Sequence, residues 1–136
     1  MGSILLVESD VITSDAWASA VTASGHAALT ASGMRSALAL IREGGVDLVV
    51  VDVYDPRAGV IELARGMDAL PDAPPIVVVS SSPAAPQISV RIGAALFLPK
   101  PCEPGELAAA VAQLFERLHP VRGIDDERTT RTRRLG

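Results

Sequence analysis

Five short aliphatic runs, each followed by a turn and a stretch of apolar residues at helical spacing, set the rhythm of this chain. The runs predict strands at residues 3–7, 27–31, 47–53, 76–80 and 95–98, the second being short and weak. The strongest runs, such as Leu48-Val49-Val50-Val51 and Ile76-Val77-Val78-Val79, are unbroken rather than alternating. Strands of that kind are buried on both faces, as in parallel sheets covered by helices. Strand and helix alternating five times predicts an α/β protein with a doubly wound parallel sheet.

The first helix is expected over about 14–24, with Trp17, Ala20 and Val21 inward, Thr13 or Ser14 as cap and Gly25 as a stop. A second spans 34–43, with Leu38 and Ile41 inward and Gly44-Gly45 ending it. The third is expected over 58–70, with Val60, Leu63, Ala64 and Met67 on one stripe. Gly66 inside it costs roughly 1 kcal/mol relative to alanine. Residues 81–86 read as a loop. Residues 87–93 alternate like a strand at Ile88, Val90 and Ile92, yet a parallel crossover calls for a helix, and a short fourth helix is expected. The fifth runs from Pro104 to about Leu118, with Leu107, Val111, Leu114 and Leu118 as its stripe. Residues 1–119 thus form the expected domain, and the polar, arginine-rich tail 120–136 has no periodic apolar face and is expected to be disordered.

The apolar runs carry chemistry at their ends. Glu8 follows the first, Asp52 the third, Ser80 the fourth, and Lys100 the fifth within Leu98-Pro99-Lys100-Pro101. Ligands of open α/β sheets gather at the carboxyl ends of the strands, so these groups converge on one edge. Lys100 is the only lysine beside 11 arginines. A lysine kept in such a background points to chemistry that wants a compact ammonium able to reach one anionic oxygen.

Composition narrows the classes. The chain has 136 residues and a 49% hydrophobic share with four aromatic side chains, which suits one domain with an aliphatic core. Residues 1–119 hold 13 acids and 7 bases, whereas 120–136 hold 3 acids and 5 arginines. The acidic body argues against nucleic-acid binding, and the tail reads as a solvated end, a linker stub or a contact for an acidic partner. No apolar run approaches the roughly 18–20 residues of a membrane span. Met1-Gly2-Ser3 lacks a basic n-region, and the single Cys102 allows no internal disulfide, so a cytoplasmic location is expected. His26 reads as a surface turn residue, Trp17 as core or partner surface, and the Lys100 charge near Cys102 would lower its thiol pKa.

Taken in order, Ile4 to Glu8, Asp47 to Asp52 with Pro56 beyond it, Ser80, and Leu98-Pro99-Lys100-Pro101 resemble the receiver domain of bacterial two-component response regulators across residues 3–119. The resemblance implies a flavodoxin-like (βα)5 fold with a five-stranded parallel sheet in order 2-1-3-4-5. It also implies that Asp52 accepts a phosphoryl group, with Mg2+, from a sensor histidine kinase, phosphotransfer protein or small phosphodonor. Lys100 would pair with the phosphoryl oxygens, Ser80 would be the switch hydroxyl, Phe97 the aromatic that changes rotamer, and Pro101 the residue after a cis bond. Glu8, Asp52 and the Tyr54 backbone carbonyl would serve the metal. The signal would pass to a downstream protein partner through the helix 4, strand 5 and helix 5 surface, with a homodimer left open. Such a protein is a phosphoacceptor rather than an enzyme, with at most self-phosphorylation and self-dephosphorylation.

The departure is Ser9, which stands where the family places a second acid. A neutral hydroxyl is a poor ligand for a hard cation, and losing part of one close charge pair would weaken metal affinity by roughly ten- to a hundredfold. Two rescues stay open: Glu8 as a direct ligand, or compensation by Asp10. The alternative function is accordingly a degenerate receiver acting as a phosphorylation-independent interaction module. Tyr54 is expected to shield a phosphoryl group from water, and the loop 56–59 looks one residue short. A phosphatase of related topology would want an acid at position 54.

Overall fold

The computed structural model describes residues 2–53 and 59–118. The elements are β1 (Ser3–Val7), α1 (Val11–Ala23), β2 (Ala27–Ala31), α2 (Met34–Glu43), β3 (Leu48–Asp52), α3 (Val60–Asp68), β4 (Ile76–Ser80), α4 (Ala85–Arg91), β5 (Leu96–Pro99) and α5 (Pro104–Leu118). The five strands form one parallel sheet in the order β2-β1-β3-β4-β5, a flavodoxin-like arrangement. Val7 lies opposite Val51, Asp52 opposite Val79, and Ser80 opposite Pro99. This register brings the ends of β3, β4 and β5 level.

Alternation along each strand divides the core in two. Leu5, Val7, Val49, Val51 and Val78 pack with Ala37, Ile41, Val60, Leu63 and Met67. Ile4, Leu6, Leu48, Val50, Val77 and Val79 pack with Trp17, Val21, Leu107, Val111 and Leu114. Every residue of β3 and β4 is buried, which is why those two strands read as continuous apolar runs. Edge strand β2 is mostly exposed, which is why it reads weakly.

Several boundaries differ from the expectation. Helix α1 begins at Val11 because Asp10, not Thr13 or Ser14, is its cap. Helix α3 is shorter than 58–70, entered through Gly59 at φ 98° and ending at Asp68. A Cβ at Gly66 would lie 2.7 Å from Leu38 Cδ2, so the glycine within α3 permits its close approach to α2. Helix α4 starts at Ala85, two residues before the expected start, with Pro86 tolerated in its first turn. Leu118 is exposed and does not join the α5 stripe. His26 is buried, contrary to its reading as a surface residue: Nδ1 accepts a hydrogen bond from Gly2 N at 3.2 Å, and the ring meets Phe115 edge-on at 5.3 Å. No helix among the described residues is long and apolar enough to cross a membrane.

Candidate functional site

The carboxyl edge of the sheet collects the charged groups. Asp52 closes β3 with a fully buried side chain, and Lys100, just beyond β5, donates from Nζ to Asp52 Oδ2. The Lys100 side chain keeps about 25% of its surface in solvent. Its backbone N donates to Ser80 O at 3.0 Å, which extends the β4–β5 pairing to the lysine. The Lys100–Pro101 peptide is cis. Glu8, directly after β1, is buried, and its Oε2 accepts from Asp10 N at 2.8 Å.

Burial is the main cause that raises the Asp52 carboxyl to about 7. The Glu8 carboxylate adds to the rise, and the Lys100 ammonium opposes it. Asp52 Oδ1 is buried and has no hydrogen-bond partner among the described residues. Ser80, also buried, donates from Oγ to Val53 O at 2.5 Å and accepts from Ser82 N at 3.0 Å. Phe97 lies opposite Val78 in β5 and packs, half-buried, on the core that includes α2 and α3.

Beside these groups lies a cavity of about 310 Å³ lined by Val7, Glu8, Ser9, Ser32, Gly33, Met34 and Asp52. The wall formed by residues 32–34 had no signal in the sequence, since the β2–α2 connection reaches Asp52 only through the strand order. Asp10 is exposed, and its Oδ2 accepts from Thr13 N at 3.0 Å and Thr13 Oγ at 2.6 Å. The spacing Asp10-x-x-Thr13 is the signal that could have located this cap. Burial, with Glu106 and Glu103, raises the Cys102 thiol pKa against the pull of Lys100, opposite to the sequence expectation. Tyr54 and Pro56 lie outside the described residues, as does the tail.

A parallel sheet in this order, with an acid, a hydroxyl and a lysine at the ends of β3, β4 and β5, is the architecture of a signal-receiving domain. Residues 4–112 match the response regulator receiver domain family, and the chain belongs to that family. It is 31% identical over 132 residues to response regulator MprA of Mycobacterium sp. strain KMS, an alignment covering 93% of this chain and 56% of that protein. The chain thus spans about half the length of the curated relatives it matches. Among solved structures it is similar to the signal receiver domain of a signal transduction histidine kinase from Syntrophus aciditrophicus, with a TM-score of 0.76, 25% identity and coverage of 91% and 97% of the two chains. A response regulator from Thermotoga maritima has the same fold, with a TM-score of 0.74, 24% identity and coverage of 85% and 98%.

Receiver domains of two-component systems are in general signalling modules that take a phosphoryl group from a histidine kinase or phosphodonor and use Mg2+ to do so. Among the described residues no group of three or more His, Cys, Asp and Glu could hold a metal ion. The donors nevertheless suit a hard cation in part: Asp52 offers a buried carboxylate oxygen without a hydrogen-bond partner, with Glu8 and Ser9 in the same cavity wall.

Proposed function

We propose that this chain is a phosphoryl-accepting receiver with Asp52 as its acceptor. The observation that carries the reading is the buried Asp52 in contact with Lys100, with Ser80 on the strand between them. An ionised Asp52 oxygen attacks phosphorus, the bond from phosphorus to the donor nitrogen or oxygen breaks, and the leaving group departs with that electron pair. Asp52 becomes an aspartyl phosphate. Lys100 then pairs with the phosphoryl oxygens, which its short, flexible reach allows. Ser80 releases Val53 O and donates to the phosphoryl group, and Phe97 changes rotamer as the hydroxyl leaves.

Glu8 and Asp52, with the Ser9 hydroxyl as a weak third donor and the Tyr54 carbonyl, would hold Mg2+. When bound, the cation supplies charge neutralisation for the phosphoryl oxygens. The expected partners are a sensor histidine kinase or phosphotransfer protein and a downstream protein docked on α4, β5 and α5, in the cytoplasm, with a homodimer also compatible. Residues 1–119 act as the receiver domain and 120–136 as its polar extension.

Ser9 in place of an acid favours a second reading, a degenerate receiver that binds its partner without phosphorylation. Intact-mass spectrometry after incubation with acetyl phosphate and Mg2+ separates the two. One phosphate adduct that is absent from Asp52→Ala supports the acceptor. No adduct on the folded protein at high Mg2+ supports the interaction module.

A further inference from the structure

We propose that Asp10 is a latent metal ligand, held away from the site by Thr13 as the cap of α1, so that cation affinity is set by competition between capping and coordination. The inference rests on the proposed metal-binding reading of Glu8 and Asp52. The acid missing at Ser9 is present one position later, and its own backbone N is hydrogen-bonded to Glu8 Oε2 at 2.8 Å. The two acids are therefore mechanically joined.

What keeps Asp10 from the cavity is local. Both Thr13 donors meet the same oxygen, Oδ2, and Asp10 is not among the residues of the cavity wall. The other half of the competition is the demand inside the cavity, where Asp52 Oδ1 is buried with no hydrogen-bond partner among the described residues. A cation there has two carboxylates and room for several waters. Adding a third carboxylate is the usual way in which such sites gain affinity. A side-chain cap and one such contact each shift an equilibrium by roughly tenfold, so neither state excludes the other.

The test is a Mg2+ titration followed by amide NMR on the full chain, with variants chosen to separate ligation from charge. Asp10→Asn retains a capping side chain and removes the anion; it is expected to weaken Mg2+ about tenfold. Glu43→Gln, exposed at the C-terminal end of α2, reports charge at a distance and is expected to weaken binding less than about twofold. Thr13→Val removes the hydroxyl donor and is expected to tighten binding severalfold. In the wild type, saturating Mg2+ should speed hydrogen exchange of the Thr13 amide as its acceptor is withdrawn.

Equal losses in Asp10→Asn and Glu43→Gln, or a Thr13 amide equally protected with and without Mg2+, would overturn the inference. Ser9→Asp keeps the two readings apart. If it tightens Mg2+ while Asp10→Asn leaves wild-type affinity unchanged, the latent ligand is refuted and the metal site stands. If neither the wild type nor Ser9→Asp binds Mg2+, both fall together.

Discussion

Replacing Asp52 by asparagine should stabilise the fold, and by an amount that depends on pH. The folded protein holds the Asp52 carboxyl at about 7 against 3.8 in an open chain, because burial and Glu8 outweigh Lys100. Below about pH 4 the group is protonated in both states and contributes nothing. Between about 4 and 7 the unfolded chain has released the proton and the folded protein has not, so folding stability declines as pH rises. Above 7 the whole cost is present. At about 1.36 kcal/mol per pH unit, the upper limit is roughly 4 kcal/mol. Asparagine also removes the ion pair between Asp52 and Lys100, though the lysine side chain is partly exposed and keeps water, so the net gain at pH 8 should be about 1–2 kcal/mol. That corresponds to a rise of about 4–8 °C in Tm for a domain of this size. Trp17, the one tryptophan and a buried one, reports urea unfolding directly. Measurements in EDTA at pH 5 and pH 8 on both proteins decide the matter, since titrating groups outside the Asp52, Glu8 and Lys100 cluster cancel in the difference to first order. A variant that is destabilised at pH 8, or whose advantage is the same at both pH values, would refute the reasoning.

Three further outcomes are expected. Ser80→Ala removes the donor to Val53 O and the acceptor for Ser82 N, so it should cost about 1–2 kcal/mol in urea unfolding while still forming the acetyl phosphate adduct on Asp52. Burial and the N-terminal charge lower the His26 pKa, so His26 contributes a loss of stability as pH falls through 6.5, where the unfolded histidine gains its proton, against the opposite contribution of Asp52. With Asp52→Asn as the common background, the decline should be visible and His26→Phe should lack it, and a variant that keeps it would disprove the assignment. Tyr54→Asn should shorten the lifetime of the phosphorylated protein, measured by loss of the adduct mass over time; a longer lifetime counts against shielding by the ring.

Where residues answer to both faces of the sheet, the sequence was easy to read. Val49, Val50, Val51 and Val77, Val78, Val79 alternate between the two cores, so no polar residue interrupts them, and the groups ending those strands had to share an edge. The start of α1 was harder, since Val11 and Ile12 are 70% and 80% exposed and Ser14 is buried, the reverse of an apolar stripe. A side-chain cap, not hydrophobic spacing, decides where that helix begins. His26 is buried by Phe115 and Gly2, partners 89 and 24 positions away, which no local window contains. The Ser32-Gly33-Met34 wall depended likewise on β2 and β3 flanking β1.

The hydroxyl of Ser80 has a second consequence for the proposed switch. Its bond to Val53 O is made next to the acceptor, and its bond from Ser82 N is made at the start of the β4–α4 connection. Ser82 in turn accepts from Ala84 N through Oγ at 3.3 Å and from Ala85 N through its carbonyl at 3.1 Å, at the entry to α4. A single chain of hydrogen bonds therefore joins the residue after Asp52 to the first turn of α4. Helix α4 is only seven residues long, with Val90 at 83% exposure, so little burial on its outer side resists movement. Drawing the Ser80 hydroxyl towards a phosphoryl group would break the Val53 link and strain the Ser82 link together. In this reading the first turn of α4 is where the response must begin, and a phosphorylated protein whose Ala84 and Ala85 amides keep their unphosphorylated exchange rates would show that it begins elsewhere.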